Sequence, residues 1–410
     1  MAHKQLSWIS AVLSLVLVLV SCGGSGGDTD TTITPPPVAV DPWNSQKLEL
    51  LTGTATVDFD HCQFVDGAAT DARFMHLMRV SVNKDGVYLA DGGENCTNVT
   101  YGNGLLPDRP LRPAIRKVVD GAVSPVVALN YSMFETLTTV VRYPSAIYQR
   151  ESDGQTFVLS YVAARSDEGY VVDESVVAQY SLDEWAWKVF TPGLFSFSKG
   201  TISVGTPNLV AGILELPPGQ VDGQGLAAGF GAPHDLEVDA SGLFHLIDQG
   251  RIRTIDSTYN VTTLDLAALG ITSTVKALDA DLQGHIHVLT QRGAGSYTWH
   301  RLADSSRLDF DIPQVAAADV LSLETFTVIG SDMLLGVRHP TGDGYTRLYR
   351  ISAAGGVTEM SGATAASTPQ DFLDQPAQYL LPRVQHIEYG VDGNLYLVLP
   401  QGVLVARNFT

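Results

Sequence analysis

The sequence predicts an all-β fold assembled from repeated four-stranded units. Three observations carry this reading. The chain is written in short apolar or alternating runs with almost no helical periodicity. Gly, Asp and Pro punctuate those runs at turn spacing. The same succession of strands and turns recurs between residues 48 and 410. Composition agrees: 45% hydrophobic and 17% charged residues leave too much apolar material for a disordered chain.

Two copies are well formed. The first runs from Val65-Asp66-Gly67 through Ala72-Arg73-Phe74, Val80-Ser81-Val82 and Gly86–Asp91. After an insertion it continues in Ile115-Arg116-Lys117-Val118 and Gly121–Val127. The third runs from Val221-Asp222-Gly223 through Phe230, Pro233–Asp239, Gly242–Asp248, Arg251–Asp256 and Val261–Leu264. Between them, Tyr143–Ile147 and Asp153–Leu159 mark a longer, divergent second copy. Weaker copies lie at Val275–His300, Phe326–Val357 and Ile387–Val398, for a count of six. In each, an alternating segment is one strand of an antiparallel sheet, and Asp-x-x-Gly or Lys-Asp-Gly is the hairpin turn needing positive φ. The Arg-Ile-Arg strand is expected to pack its isoleucines inward and expose its arginines.

These units resemble NHL repeats, whose pattern couples an Asp-Gly start, a Gly-Asn-Leu-Tyr-Val-Ala-Asp-like strand and an Arg-Ile-Arg-Lys-Ile-like strand. Six such sheets arranged radially make a six-bladed β-propeller of four-stranded antiparallel blades. The resemblance covers nearly all of residues 47–410 and implies an interaction platform. Closure has its own signature. The last copy is one strand short after Val403–Arg407, and Lys47–Gly53 is a spare apolar segment. That segment is expected to complete the last blade, since a bare seam would expose an unpaired sheet edge.

Residues 1–21 read as a signal peptide, with Lys4 ahead of the Leu/Val run Ala11–Val20. Leu19-Val20-Ser21-Cys22 resembles a bacterial lipobox, which implies a diacylated Cys22. Residues 22–46 form a Gly/Ser/Thr/Pro tether. Gly23 after the cysteine points to the outer membrane of a bacterial envelope, and the membrane is engaged through the lipid alone. Cys62 and Cys96 are then an even pair in an oxidising compartment, expected as a disulfide worth about 3–4 kcal/mol. The formal charge of −19 argues against a nucleic-acid partner.

Propeller sites form where inner strands meet the central channel. Alignment on the turn glycine puts His234 in one column with Met78, Ser145 or Ala146, Lys276, Thr325 and Gln385. The next column holds Arg79, Asp235, Ala277, Phe326 and His386. Pro233-His234-Asp235 looks like the entry motif of zinc-dependent lyase propellers, and lactonase-like propellers hold calcium with inner-strand carboxylates. Zinc needs three or four converging ligands, and one histidine per column does not supply them. No Glu/Asn/Asp set recurs in these columns beyond Asp235. The expectation is therefore a non-catalytic binding or scaffolding protein without a cofactor, taking a protein or small-molecule ligand at Met78, Arg79, His234, Asp235, Lys276, Gln385 and His386. The alternative is a metal-dependent lyase or hydrolase around His234, Asp235 and His386. One outcome follows from the N-terminal reading alone. Mass spectrometry of the mature chain should find an acylated Cys22, and Cys22→Ser protein should leave the membrane fraction.

Overall fold

The alternating runs and Asp-Gly turns fold into antiparallel sheets in the computed structural model. It describes residues 43, 45–56, 62–91, 99–101, 114–127, 139–152, 154–165, 187–197, 208–211, 220–231, 233–312, 323–338, 344–362 and 364–410. Cys22, the signal peptide and the tether as far as residue 42 lie outside these residues, as does Cys96. Trp43, Ser45 and Gln46 at the end of the expected tether are described, and Trp43 and Gln46 pack on the domain. The backbone of Cys62 is described, in a short strand Cys62–Phe64 that pairs in parallel with Val99–Tyr101.

Six sheets of four or more strands follow one another along the chain. Their inner strands are Leu77–Asn83, Thr139–Gln149, Pro233–Val238, Thr274–Ala280, Leu323–Ile329 and His386–Tyr389. Each inner strand touches the next, and the sixth touches the first, which makes a propeller. Five of the sheets are regular blades, with strands of eight residues or fewer. The expected count of six blades is therefore corrected to five, with the second sheet as the exception. Its first three strands run for 11, 10 and 11 residues. Register shifts interrupt its pairing on both sides of Thr156–Arg165, so it departs from the blade form.

The core lies between successive sheets, because each sheet is apolar on both faces. Phe157 and Leu159 of the second sheet meet Phe244 and Leu246 of the third. Ile247 and Ile252 meet Leu278 and Val288, and Leu289 and Tyr297 meet Phe326 and Leu335. Val80 and Leu89 of the first blade pack on Val398 and Val405 of the sixth. Fully burying each such side chain is worth about 1.5–3 kcal/mol.

The arginines of the repeat are not both exposed, contrary to expectation. Arg251 faces solvent, but Arg253 is fully buried. Its guanidinium bridges Asp248 at 2.9 Å and Asp222 at 3.0 Å, and donates to the carbonyls of Gly229 and Val221. The first blade repeats the arrangement: Arg116 is fully buried between Asp66 at 2.7 Å and Asp91 at 3.4 Å. Each guanidinium also lies against an aromatic ring, Phe230 and Phe74 respectively. The Asp-Gly start of the repeat is therefore tied to the third strand of its own blade by a buried charge pair. Desolvation of such ions is tolerable only with this degree of pairing.

The ring is closed by backbone pairing between the two ends of the described chain. Glu49–Gly53 adds to Gly402–Ala406 as the outer strand of the sixth blade, with Glu49 opposite Val405 and Gly53 opposite Gly402. Gly53 has φ +78°, and a Cβ there would meet the Gln401 carbonyl at 2.2 Å, so no other residue fits the close approach. The segment just ahead holds the seam further. Trp43 is buried edge-on against Phe409 and donates to the Met360 carbonyl at 2.7 Å. Gln46 donates to the carbonyls of Arg407 and Asn408, and Lys47 pairs with Asp374 at 2.7 Å. Removal of residues 23–40 should leave the thermal midpoint unchanged, whereas removal of 23–53 should unfold the domain or lower its midpoint by more than ~10 °C, since it strips several buried contacts and a strand. Circular dichroism melts of the two truncations decide this.

Candidate functional site

Every inner strand except the last carries a register shift just before its core residue. Such bulges place two consecutive side chains on one face, here the channel side. Met78-Arg79, His234-Asp235 and Lys276-Ala277 occupy this place as aligned, and Gln385-His386 stand level with them on the last strand, which has no shift. One position of the alignment is corrected: Phe326 packs in the core with Met333 and Leu335, so Thr325 stands in the column of Asp235. In the second copy Ala146 pairs with Leu159 just after the register shift, as Arg79 pairs with Ala90 and Ala277 with Leu289, which puts Ala146 in that same column. A one-residue bulge inside an apolar run cannot be located by aligning turn glycines.

The second column converges across the axis. Arg79, buried, lies 3.1 Å from the carboxylate of Asp235 and 3.6 Å from that of Glu237. Its Nε donates to Nδ1 of His386 at 3.3 Å. Nε2 of His386 then faces Glu388 Oε2 at 3.3 Å, and Thr325 Oγ1 is 3.4 Å from Nδ1. An Nδ1 that accepts from a guanidinium fixes the neutral Nε2–H tautomer, with Nε2–H donating to Glu388. Asp235 has φ +52° at its bulge, a conformation costing a non-glycine residue about 1–3 kcal/mol. Its carboxylate recovers this through Arg79 and through the Leu278 amide, which donates at 3.3 Å.

The remaining expected residues surround this hub without joining it. His234 is 47% exposed and lies 3.6 Å from Asp235. Met78 and Lys276 are half-buried. Gln385 is half-buried and turned aside, its Nε2 donating to His76 Nε2 at 2.9 Å. His234, Asp235 and His386 therefore do not present a joint metal site, because the Arg79 guanidinium already stands between Asp235 and His386. Among the described residues no group of three or more His, Cys, Asp or Glu side chains is arranged to hold a metal ion.

Sequence reasoning missed the layer below. Two residues after each rim position stand Ser81, Tyr148, Glu237, Asp279, Thr327 and Glu388, alternating with core residues such as Val80, Leu236 and Ile387. Three of the six are acidic. Asp279 is buried and accepts from the Val328 amide at 2.7 Å and Thr327 Oγ1 at 3.3 Å. The signal was available as a recurrent polar residue immediately after the inward apolar one, had the comparison been carried one turn of the pleat deeper. Ser81, Tyr148, Glu237 and Glu388 of this layer line a cavity of about 260 Å³, together with Asn83, Gln149 and Tyr389, that reaches Asp281, Leu282 and Gly284 of one strand turn and Val391 of another.

The electrostatics follow from one cation among four carboxylates. Burial disfavours charge on Arg79, but Asp235, Glu237, Glu388 and Asp279 outweigh it and hold its pKa above the usual value. Asp235 is held well below the carboxylate range, because Arg79 and His234 overcome its burial. Glu237 is pushed well up by burial, with Arg79 opposing and Asp279, Glu388 and Asp235 adding to the rise. Asp279 is likewise raised by burial and by Glu388. Burial and Arg79 both depress His386, consistent with its neutral tautomer.

His245 and His287 are structural. Each is buried, lies 3.0 and 3.2 Å from its turn carboxylate, Asp239 and Asp281, and has a depressed pKa through burial. Tyr396 occupies the same strand place and donates to Asp392 at 2.7 Å.

Fold and site together define a β-propeller with a polar cavity at its axis. No protein-family model and no curated protein matches the chain. Solved structures do share the architecture. An auxiliary nutrient binding protein from Bacteroides ovatus superposes with a TM-score of 0.50 at 10% identity, over 88% of this chain and 76% of that one. A protein of unknown function from Bacteroides thetaiotaomicron gives 0.48 at 12%, over 88% and 75%. A gluconolactonase from Xanthomonas campestris gives 0.47 at 8%, over 88% and 90%. At these identities the likeness is one of fold. Among the described residues no helix is long and apolar enough to cross a membrane.

The charge balance sets a test. A carboxyl with a raised folded-state pKa contributes stability below its unfolded value, near 4.3, and loses it as pH rises through the folded value. Glu237→Gln should therefore melt higher than the native protein at pH 8, with the gap closing as pH falls towards 4. Arg79→Met should do the opposite, costing about 3–5 kcal/mol by stranding buried carboxylates. Thermal melts across pH read both.

Proposed function

We propose that this propeller is a non-catalytic ligand-binding protein of the bacterial envelope, tethered by an acylated Cys22 and working through the cavity on its axis. One observation carries the binding reading. Arg79, Glu237, His386 and Glu388, from three different blades, converge on a cavity of about 260 Å³ that opens at the strand turns. Side chains so placed have no role in holding any one blade together, and polar groups converging on a concavity are the usual mark of a ligand site. The NHL-like repeat pattern and the lipobox support the tethered-platform part of the reading. The metal-dependent alternative at His234, Asp235 and His386 draws no support from the geometry, since a guanidinium fills the place an ion would need.

A thermal-shift screen of small sugars, amino acids and amines against the purified domain tests this. A ligand at ~100 times its Kd should add about 2.7 kcal/mol of stability. Ser81→Phe, which fills the cavity from the first blade, should abolish the shift. A shift that survives this substitution would place binding elsewhere.

A further inference from the structure

The chemistry of the cavity is uneven along its depth. Of the carboxylates around Arg79, Asp235 matches it at 3.1 Å and Asp279 is occupied by Val328 and Thr327, both outside the cavity lining. Glu237 and Glu388 face the cavity with weaker partners, a 3.6 Å approach of Arg79 and a neutral histidine respectively. The Glu237 side chain is 15% exposed and 3.6 Å from Arg79, and no hydrogen bond to it is present among the described residues. Among the described residues, Glu388 accepts only from the neutral His386.

The mouth is apolar instead. Only four large hydrophobic side chains are classed as exposed among the described residues, and two of them stand here: Leu282 at 49% and Val391 at 52%. They occupy the second position of the Asp281–Gly284 and Gly390–Gly393 turns, on the fourth and sixth blades. Exposed apolar side chains gathered at the rim of a polar concavity mark a contact surface. A ligand matched to both depths carries a positive head and an apolar body, and the small cavity volume limits the head to a slender group.

Resting on the reading of this cavity as a binding site, we infer that it takes a primary ammonium group on an alkyl chain, with the ammonium at Glu237 and Glu388 and the chain against Leu282 and Val391. A free alkylamine and a lysine side chain of a peptide share this chemistry.

Titration of the full domain with 1-hexylammonium, followed by calorimetry and by methyl resonances of Leu282 and Val391, tests the inference. Nα-acetyl-lysine methylamide forms a second arm, and 1-hexanol and the Nε-acetylated lysine derivative are neutral controls. Saturable binding of an amine, with shifts at both methyl groups, is expected. Glu237→Gln, a variant predicted to be more stable than the native protein, should weaken it at least ~10-fold. Leu282→Ser with Val391→Ser should weaken hexylammonium by a similar factor. Tighter binding of the lysine derivative than of hexylammonium would support the inference with a peptide as the source, and the reverse order would support it with a free amine. Unchanged affinity in Glu237→Gln would show diffuse attraction to an acidic chain and overturn it. Equal binding of hexanol would also overturn it while leaving the cavity a binding site. Silence of every arm at the Leu282 and Val391 methyl groups would overturn the inference, whereas a positive library screen blocked by Ser81→Phe would still uphold the cavity reading.

Discussion

Closure of the ring is the constraint from which the rest of the structure follows. A radial set of sheets has a seam wherever its first and last members meet, and an unpaired edge there costs both hydrogen bonds and protection from aggregation. The seam is sealed by a strand from the opposite end of the chain, Glu49–Gly53 on Gly402–Ala406. The consequence reaches the axis. Arg79 belongs to the first blade and His386 to the sixth, so their hydrogen bond exists only because the sixth blade is held against the first. Contacts distant in sequence, such as Trp43 with Met360, fix the geometry in which the hub assembles.

The hub is not arranged for greatest stability. Repeated buried triads elsewhere, Asp248–Arg253–Asp222 and Asp91–Arg116–Asp66, surround each guanidinium with two carboxylates and backbone carbonyls. At the axis one guanidinium faces four carboxylates, and two of them are driven up in pKa. The same chemistry therefore serves two ends in one chain. In the blades it is balanced and locks turns to strands. At the axis it is unbalanced, which is how functional sites commonly depart from the optimum of the fold.

The architecture was legible because its determinants are local and repeated. Asp-Gly turns, alternating strands and the orphan segment before residue 53 each announce themselves within a few residues. The site was partly legible for the same reason: Arg79, Asp235 and His386 were found in one column because their copies keep the pattern. The errors have physical causes. A bulge adds a residue without changing the apolar pattern, which misplaced Phe326. Alternation along a strand says which side chains point away from isoleucine, not whether that other side is wet, and so Arg253 was expected in solvent. Glu237, Asp279 and Glu388 went unnoticed because their significance lies in convergence from three sheets, which no single copy displays.

The strand turns separate upkeep of the hairpin from the surface it shows. In the Asp281–Gly284 turn, Asp281 accepts from the amides of Gln283 and His285 and holds the ring of His287. Asp239 does the same with Ser241, Leu243 and His245, and Asp392 with Asn394 and Tyr396. Leu282, beside Asp281, and Val391, before Asp392, are exposed at the mouth and take no part in that scaffolding. Mutational drift can thus rewrite the mouth of the cavity one turn at a time while the ring beneath stays intact. Change at that surface is thereby uncoupled from change of shape.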